Sequence, residues 1–379
     1  MSPTKGGVSR EESRARRRIC FFAGTHGNWG GASRVLFTNL RLLDRQRFDP
    51  IVLLSGHGPA EALLEELGIE YKIWGPLTEP GNHLNYLRAL FRTLFWFKRQ
   101  KIELVHLNRA NAWRPAELLA LRISGIPVVT HFHTVNLDRA PCTRWSSAIA
   151  AVSNYVAQHS DTQGVPTTVI YNTVDTNRFS NGQDMRSQFG IANDQIVVGF
   201  VGQIRKIKGV DDFIGMAKHI AGDHVRFLIA GECRDKKSID DAFTREELQS
   251  RIVEDPRIIY CGYVDNVEDI YRSTDILVVP SRWEEPFGLI CIEAGAAGLP
   301  VIATRQGGLP EVIEDGITGL IVAAGAVLTM AHQVQKLVED PKLRAAMGEA
   351  ARIRVEREFT DKPVRALEDL YVSLLANGN

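Results

Sequence analysis

Two glutamates with seven residues between them flank the predicted start of a helix in the second half of the chain. Glu285 lies in a turn with Pro286 and Gly288, and Glu293 falls on the helix predicted over residues 289–297. The start of a helix presents unpaired N–H groups that attract phosphate and hydroxyl oxygens. Carboxylates accept hydrogen bonds from sugar hydroxyls. The pattern predicts a site for a phosphate-bearing, polyhydroxylated ligand, although Glu293 taken alone is equally well explained as an acid that balances the helix dipole.

A basic turn follows the strand predicted at residues 196–202. It contains Arg205, Lys206 and Lys208. A cation at the end of a strand can neutralise a diphosphate leaving group, which is the main electrostatic demand of sugar transfer. We predict this role for Lys208. For Arg205 and Lys206 we favour a solvated basic turn.

Two further candidate sites follow strands in the first half of the chain. The Gly-rich turn at residues 24–31 lacks the Gly-x-Gly-x-x-Gly spacing, and no acid ends the next strand, so an NAD site is not expected. His131 and His133 lie at the end of the strand predicted at 127–131. Two histidines within three residues of a strand end favour a ligand site over a structural role. His106, inside a strand, is predicted to be structural.

Short apolar runs alternate with helical patterns along almost the whole chain, which predicts parallel sheets covered on both faces. Strands are predicted in one series at 19–23, 51–54, 71–74, 104–107, 127–131, 148–152 and 168–171, and in a second series at 196–202, 226–230, 258–261, 276–280, 301–303 and 319–322. Residues 172–194 are polar and rich in turns, so we place the linker there. The fold class is therefore α/β, with two doubly wound, Rossmann-like domains that face each other across a cleft. We predict a disordered basic tail at 1–17, domains at 18–178 and 179–360, and a final helix at 361–379 that crosses back to the first domain.

Composition places the protein among globular chains and predicts a cytoplasmic location. No apolar run is long enough to span a bilayer, and residues 1–18 are polar and Arg-rich rather than a signal peptide. The five cysteines form no Cys-x-x-Cys pair, which argues against disulfides and a structural zinc site. The net charge is zero, but the first 180 residues hold 22 Lys and Arg against 14 Asp and Glu. The first half is thus suited to an anionic partner, although the basic tail supplies half of the excess.

The segment around the acid pair resembles a known family. Glu285-Pro286-Phe287-Gly288 and Glu293 are followed by Gly-Leu-Pro-Val-Ile-Ala at 298–303 and by Gly-Gly-Leu-Pro-Glu at 307–311. This string resembles the retaining glycosyltransferases of family 4, which have the GT-B fold. The resemblance covers about residues 19–360.

The resemblance implies a role for each matching residue. Glu293 matches the acid that binds the ribose hydroxyls, and Glu285 matches the acid beside the transferred sugar. His133 matches a histidine next to the donor sugar, with His131 as the alternative, and Asn172 matches a structural asparagine at the start of the linker. The further donor-binding positions are Gly31, Gln203, Arg205, Lys208, Tyr263, Val264, Phe287, Gly288, Leu289 and Ile290. Gly30 and Arg34 fall on the loop and helix that approach the acceptor, and the catalytic set is His133, Glu285 and Lys208.

One position departs from the family. Gln203 stands where the family has an arginine, and Arg205 would substitute for it only if the loop turned that side chain inward. This departure keeps open an alternative from another class, a nucleotide-sugar-binding protein with little or no transferase activity. An NAD(P) oxidoreductase is disfavoured by the missing fingerprint. A phosphorylase would need a cofactor lysine that we do not identify, and an epimerase of similar architecture remains a further alternative.

The reaction implied by the resemblance moves a sugar from a nucleoside diphosphate to an acceptor hydroxyl with retention at the anomeric carbon. It needs no cofactor and no Asp-x-Asp metal site, and we expect a UDP-sugar rather than a GDP-sugar. The expected partners are this donor and a glycan or polyprenyl-linked acceptor, with no nucleic acid.

The predicted helix at residues 84–101 is aromatic and basic and contains Phe95 and Trp96. Two interpretations remain open. The helix either packs on the sheet, with the stems of Arg and Lys covering its edges, or contacts the membrane at the inner face, with aromatic residues at the headgroups. We favour packing on the sheet.

Overall fold

The computed structural model describes residues 16–24, 30–74, 83–108, 115–137, 141–233 and 241–376. Most of the tail predicted at 1–17 and most of the Gly-rich turn, residues 25–29, lie outside the described residues. Within the described part of the chain, no helix is long and apolar enough to cross a bilayer.

The first domain is built on a seven-stranded parallel sheet of order β3-β2-β1-β4-β5-β6-β7. Its strands are β1 (Arg17–Phe22), β2 (Phe48–Leu54), β3 (Glu70–Ile73), β4 (Leu104–Leu107), β5 (Val128–Phe132), β6 (Ala148–Ala151) and β7 (Thr167–Val169). Between them lie α1 (Gly31–Leu42), α2 (Ala60–Glu66), α3 (His83–Gln100), α4 (Pro115–Ser124) and α5 (Asn154–His159). Alternate residues of β1 serve the two faces: Ile19 and Phe21 pack towards α1 and α2, and Cys20 and Phe22 pack towards α3 and α4. The predicted doubly wound architecture is confirmed.

The second domain repeats this arrangement with a six-stranded parallel sheet of order β10-β9-β8-β11-β12-β13. Its strands are β8 (Ile196–Val201), β9 (Val225–Ala230), β10 (Ile258–Gly262), β11 (Ile276–Val279), β12 (Val301–Thr304) and β13 (Gly319–Val322). After α6 (Thr176–Ser180) in the linker, its helices are α7 (Val210–Ala217), α8 (Arg245–Ile252), α9 (Val267–Arg272), α10 (Leu289–Ala296), α11 (Leu309–Val312), α12 (Val327–Glu339) and α13 (Pro341–Glu358). The continuous apolar runs of the sequence are buried strands because parallel sheets are covered on both faces.

The strand order locates the ligand edge of each sheet. In both sheets the order reverses between the first strand and its later neighbour, β1 and β4 in one, β8 and β11 in the other. The connections that leave two such strands run to opposite faces, which opens a crevice at their carboxyl ends. Gly30 and Asn108 follow β1 and β4, while Lys208 and Glu285 follow β8 and β11. Of these four residues, Gly30, Lys208 and Glu285 were predicted site residues, and they lie at the two crevices.

The chain ends and the linker differ in detail from the sequence interpretation. Arg17, assigned to the tail, is the first residue of β1 and forms an ion pair with Glu103. The linker is not merely a run of turns, because it contains α6 and packs on the second domain, with Arg186 paired to Asp275. The last helix, α14 (Asp361–Ala376), contributes Leu367 to the core of the first domain.

Candidate functional site

The helix α10 begins at the centre of the site. Its N-cap, Gly288, has a φ of +102°, and a Cβ there would lie 2.5 Å from a side-chain carbon of Leu309. Only glycine fits this conformation and this space. The first-turn N–H groups of the helix, which include those of Leu289 and Ile290, have no acceptor within the helix. They form an anion-attracting end at the carboxyl edge of the second sheet.

Glu285 is held in place by two side-chain donors. It is buried, and its Oε1 accepts a hydrogen bond of 2.6 Å from Lys208 Nζ and one of 2.9 Å from Ser281 Oγ. The amine of Lys208 also lies 4.8 Å from the centre of the Trp283 ring. The structure therefore brings together two of the three predicted catalytic residues as a nearly buried ion pair.

The turn that carries Lys208 fits closely against the end of β11. Gly209 has a φ of +77°, and a Cβ there would lie 1.8 Å from the carbonyl oxygen of Pro280. The N–H groups of Arg282 and Trp283 donate to the carbonyl of Ile207 at 2.8 and 3.1 Å. These bonds tie the Lys208 turn to the Glu285 loop, so the spacing of the ion pair is fixed by backbone contacts.

A double glycine supports the Glu285 loop from the other side. The N–H of Gly308 donates to the carbonyl of Glu285 at 2.7 Å, and that of Gly307 donates to the Glu284 carboxylate at 2.5 Å. A Cβ on Gly307 would lie 2.1 Å from the Glu285 carbonyl oxygen, and one on Gly308 would lie 2.6 Å from that of Pro286. The Gly-Gly pair of the motif thus allows a backbone contact that holds Glu285.

Glu293 joins the two domains. It is buried on α10, and its Oε2 accepts a 2.8 Å hydrogen bond from the Tyr271 hydroxyl. Burial and the adjacent carboxylate raise the pKa of Tyr271 well above its usual value, so the hydroxyl remains a donor. Oε1 of Glu293 lies 3.3 Å from a guanidinium nitrogen of Arg34 on α1 of the first domain. Arg34, predicted to face the acceptor, therefore contacts the predicted ribose acid.

Other contacts cross between the domains close to these residues. A Cβ on Gly31 would lie 2.9 Å from a methyl carbon of Leu289, so α1 and α10 approach each other end to end. The hydroxyl of Ser153 donates to the carbonyl of Pro286 at 2.5 Å. The Glu311 carboxylate accepts from the backbone N–H groups of Asn154 and Tyr155, both at 2.8 Å. The Glu285 loop is thus in contact with both domains.

His133 lies at the edge of the first sheet, and Asn108 sets which of its ring nitrogens carries the proton. The Nδ2 of Asn108 donates to the carbonyl of Ala32 at 3.1 Å, so its Oδ1 faces the Nε2 of His133, 2.9 Å away. Because an amide oxygen only accepts, Nε2 carries the proton and Nδ1 is left as an acceptor. In this neutral form His133 can accept a hydrogen bond from a hydroxyl through Nδ1.

Two more histidines lie behind His133, and we call His106, His131 and His133 the histidine column. The ring centres of His131 and His133 are 4.2 Å apart, with the planes tilted by 31°. His131 Nδ1 is 3.3 Å from His106 Nε2, and His106 Nδ1 is 2.7 Å from the Tyr371 hydroxyl on α14. Burial lowers the pKa of His131 to about 4. Burial and the neighbouring histidines hold the pKa values of His106 and His133 well below the usual range. The column is therefore neutral at physiological pH.

Three predicted donor residues stand apart from this cluster. Arg205, predicted to substitute for the missing family arginine if it turned inward, instead forms a bidentate pair with Asp241, with N–O distances of 2.8 and 3.0 Å. Gln203 and Tyr263 are exposed on the loops after β8 and β10. Phe287 is buried against Tyr171 and Phe359, so its backbone rather than its ring is available to a ligand. The partly buried Val264 packs against the same core.

Sequence reasoning missed the residues that hold the predicted ones. Ser281 and Asn108 directly follow the ends of strands, and their position at the sheet edge is the signal that would have identified them. Tyr271 lies on α9, and nothing in the sequence links it to Glu293. Within the described residues, no three His, Cys, Asp or Glu side chains are grouped to hold a metal ion.

Comparison with known proteins agrees with this geometry. The family model described as "Glycosyltransferase Family 4" matches residues 29–178, and the one described as "Glycosyl transferases group 1" matches residues 182–354. HepE from Anabaena, solved in complex with UDP and glucose, superposes with a TM-score of 0.78 at 22% identity, covering 94% of this chain and 100% of that one. At this identity the similarity concerns the fold. The two parallel sheets have the GT-B fold, and the two family models together identify a glycosyltransferase.

Similarity in sequence assigns the family. N-acetyl-alpha-D-glucosaminyl L-malate synthase of Bacillus anthracis is 28% identical over 299 residues, 73% of this chain and 76% of that protein. The lipopolysaccharide core biosynthesis mannosyltransferase LpsB of Rhizobium meliloti is 31% identical over 241 residues, 61% of this chain and 67% of that protein. The chain belongs to glycosyltransferase family 4.

Proposed function

We propose that the protein transfers a sugar from a nucleoside diphosphate, with UDP the expected nucleotide, to a hydroxyl group of a glycan or polyprenyl-linked acceptor, with retention at the anomeric carbon. The observation that carries this proposal is the Lys208–Glu285 pair, in which the carboxylate is buried and the amine partly buried, beside the start of α10. Relatives named for glycolipid or polysaccharide synthesis and the UDP bound by HepE support the donor and acceptor classes.

The site supplies positive charge where the leaving group develops negative charge. The bond between the anomeric carbon and the diphosphate oxygen breaks, and the diphosphate keeps the electron pair. Lys208 and the first-turn N–H groups of α10 stabilise it. Arg34 offers a second cation because its ion pair with Glu293, at 3.3 Å, lies at the site itself, whereas Arg205 is paired with Asp241 apart from the site. These groups neutralise the negative charge of the diphosphate, which a metal ion does in other sites.

Retention follows from attack on the face that the diphosphate leaves. The acceptor oxygen bonds to the anomeric carbon on that face, and its proton passes to an oxygen of the departing diphosphate. Glu285, fixed by Lys208 and Ser281, positions the sugar through its free lone pairs. His133 accepts a sugar hydroxyl through Nδ1. Glu293, held by the Tyr271 hydroxyl, accepts the ribose hydroxyls.

The test is a thermal-shift screen of UDP-, GDP- and ADP-sugars, followed by donor hydrolysis and transfer assays. We expect a UDP-sugar to raise the melting temperature and to be turned over. Glu285→Gln should lower kcat by about a hundredfold, because it removes the charge that holds Lys208 without changing the size of the side chain. The matched control, Glu254→Gln, alters an exposed glutamate and should leave kcat unchanged.

Three results would contradict parts of the proposal. A donor that binds without hydrolysis or transfer would indicate a nucleotide-sugar-binding protein. Full activity in the Glu285→Gln variant would contradict the assignment of Glu285 to the active site. An inverted anomeric configuration in the product, read by proton NMR coupling, would exclude retention.

A further inference from the structure

The outer face of α3 displays a stripe of large apolar side chains. Leu84, Leu87, Phe91 and Phe95 are exposed by 59, 47, 65 and 70%. Their spacing of three and four residues places them along one side of the helix. Four such side chains in a row form a continuous apolar surface rather than the scattered exposure that is normal in soluble proteins.

The opposite face of α3 anchors the helix on the first sheet. Phe97 is fully buried, and Trp96 is buried with its ring 5.0 Å from that of Trp74. Of the two residues predicted to contact a membrane, Trp96 is thus part of the core and Phe95 is exposed. The interpretation that α3 packs on the sheet therefore describes its inner side, and the interpretation that it contacts a membrane concerns its outer side. The stripe is thus carried by a helix whose opposite face is packed in the core.

The charged residues of α3 itself are all positive. The helix contains Arg88, Arg92, Lys98 and Arg99, all exposed, and no acidic residue. The guanidinium of Arg92 lies 4.4 Å from the centre of the Trp74 ring, which keeps that cation next to the helix. The outer face of α3 is therefore an apolar band flanked by cations.

The positive charge of this surface indicates which kind of partner it binds. A second copy of the chain would cover the apolar band but would bring the same four cations against the first set, which repel each other. A neutral protein partner would leave the cations unmatched. A layer of anionic lipid meets both features, since acyl chains accept the apolar side chains and headgroup phosphates accept Arg and Lys.

The position of α3 relates this surface to the cleft. In a parallel sheet the helix that follows a strand begins near the carboxyl edge of the sheet and runs back to the start of the next strand. The N-terminal end of α3, with Leu84 and Leu87, therefore lies towards the edge that also carries His133 and Gly31. A lipid surface on α3 would be close to the acceptor side of the site.

We propose that the outer face of α3 binds the surface of an anionic lipid bilayer, with Leu84, Leu87, Phe91 and Phe95 inserted between headgroups and the flanking cations paired with lipid phosphates. Lipid binding is measured without donor or acceptor, so the proposal does not rest on the transfer reaction.

The test is co-sedimentation of the full chain with vesicles of phosphatidylcholine, with and without phosphatidylglycerol. The wild type should bind the anionic vesicles and lose binding at high salt. The double variant Phe91→Ser, Phe95→Ser should bind about tenfold more weakly, because it removes two interfacial aromatic side chains. Arg88→Gln and Lys98→Gln should each weaken binding about fivefold, the equivalent of about 1 kcal/mol per cation.

The matched control changes two exposed apolar residues of the second domain, Val253→Ser and Leu328→Ser, which are 74 and 67% exposed. It should bind like the wild type. Equal binding of the Phe91→Ser, Phe95→Ser variant and the wild type would overturn the proposal. So would equal binding to the two kinds of vesicle. Self-association in sedimentation velocity that the Phe variant abolishes, with vesicle binding unchanged, would assign the surface to a second copy of the chain and likewise overturn it.

Discussion

Substitution of Gly307 by alanine tests whether the double glycine positions the Glu285 loop. Gly307 has a φ of +55°, and an added Cβ would lie 2.1 Å from the carbonyl oxygen of Glu285 and 2.7 Å from its nitrogen. A carbon needs at least about 3 Å from such an oxygen, so the loop must move by about 1 Å. A displacement of this size in a catalytic constellation lowers the rate by about a hundredfold.

The same substitution also carries a backbone cost that has nothing to do with the site. A residue with a Cβ in the left-handed region loses about 1 to 2 kcal/mol of stability. Gly316 provides the matched control, because its φ is +81° and no atom lies within 4 Å of its Cβ position. Gly316→Ala should therefore lose only this backbone share of stability and keep its activity.

The assay compares kcat for donor turnover and the urea midpoint of unfolding in the wild type and the two variants. The expected result is a fall in midpoint for both variants, larger in Gly307→Ala because of the clash, and a fall in kcat for Gly307→Ala alone. If Gly307→Ala keeps a kcat within twofold of Gly316→Ala, the double glycine does not position Glu285 and the reasoning is refuted.

Three further predictions concern the residues behind the site. The histidine column stays neutral in the folded chain, while the same histidines in the unfolded chain take up protons below about pH 6.5. The free energy of unfolding therefore falls as the pH drops, by about 1 kcal/mol per histidine between about pH 7 and pH 5.5. In urea titrations at these two pH values, His106→Gln should show a fall that is smaller by the contribution of one histidine. Asn108→Leu should lower donor kcat/KM about tenfold by leaving the Nε2–H of His133 without an acceptor. Asn108→Asp restores the acceptor but raises the pKa of His133, so its activity should fall on acidification at a higher pH than that of the wild type. Tyr271→Phe removes a hydrogen bond to the buried Glu293 carboxylate, so the KM for the donor should rise about tenfold with kcat little changed.

Controls separate these effects from general destabilisation. His219→Gln changes an exposed histidine outside the column and should keep the pH dependence of the wild type. An unchanged pH profile in Asn108→Asp would mean that Asn108 does not set the protonation of His133. Tyr260→Phe removes a hydroxyl that bonds to Gly231 rather than to Glu293, so an equal rise in KM would contradict the role given to Tyr271.

The architecture could be predicted from the sequence because parallel strands that are buried on both faces appear as uninterrupted apolar runs. All the predicted strands are present, and their alternation with helices leaves few other folds. The acid pair was predictable for a related reason. Glu285 and Glu293 belong to one short segment in which loop, glycine and helix start follow each other directly.

Contacts between distant segments could not be predicted in the same way. Lys208 and Glu285 are 77 positions apart, and their 2.6 Å contact depends on two loops at neighbouring strand ends. The sequence did not determine whether the Arg205 side chain turns inward to the site. The structure shows that it instead bonds to Asp241.

The sequence by itself determined the class of fold, the two domains and the segment that begins α10, because each is set by local pattern and spacing. The tertiary structure alone decided which side chains hold that segment in place. It placed Arg34 of the first domain against Glu293 of the second, set Asn108 against His133, and turned one side of α3 to solvent. The physical reason is that hydrogen bonds and burial depend on the distance between atoms in space, and a chain brings its distant residues together only through the packing of the whole fold.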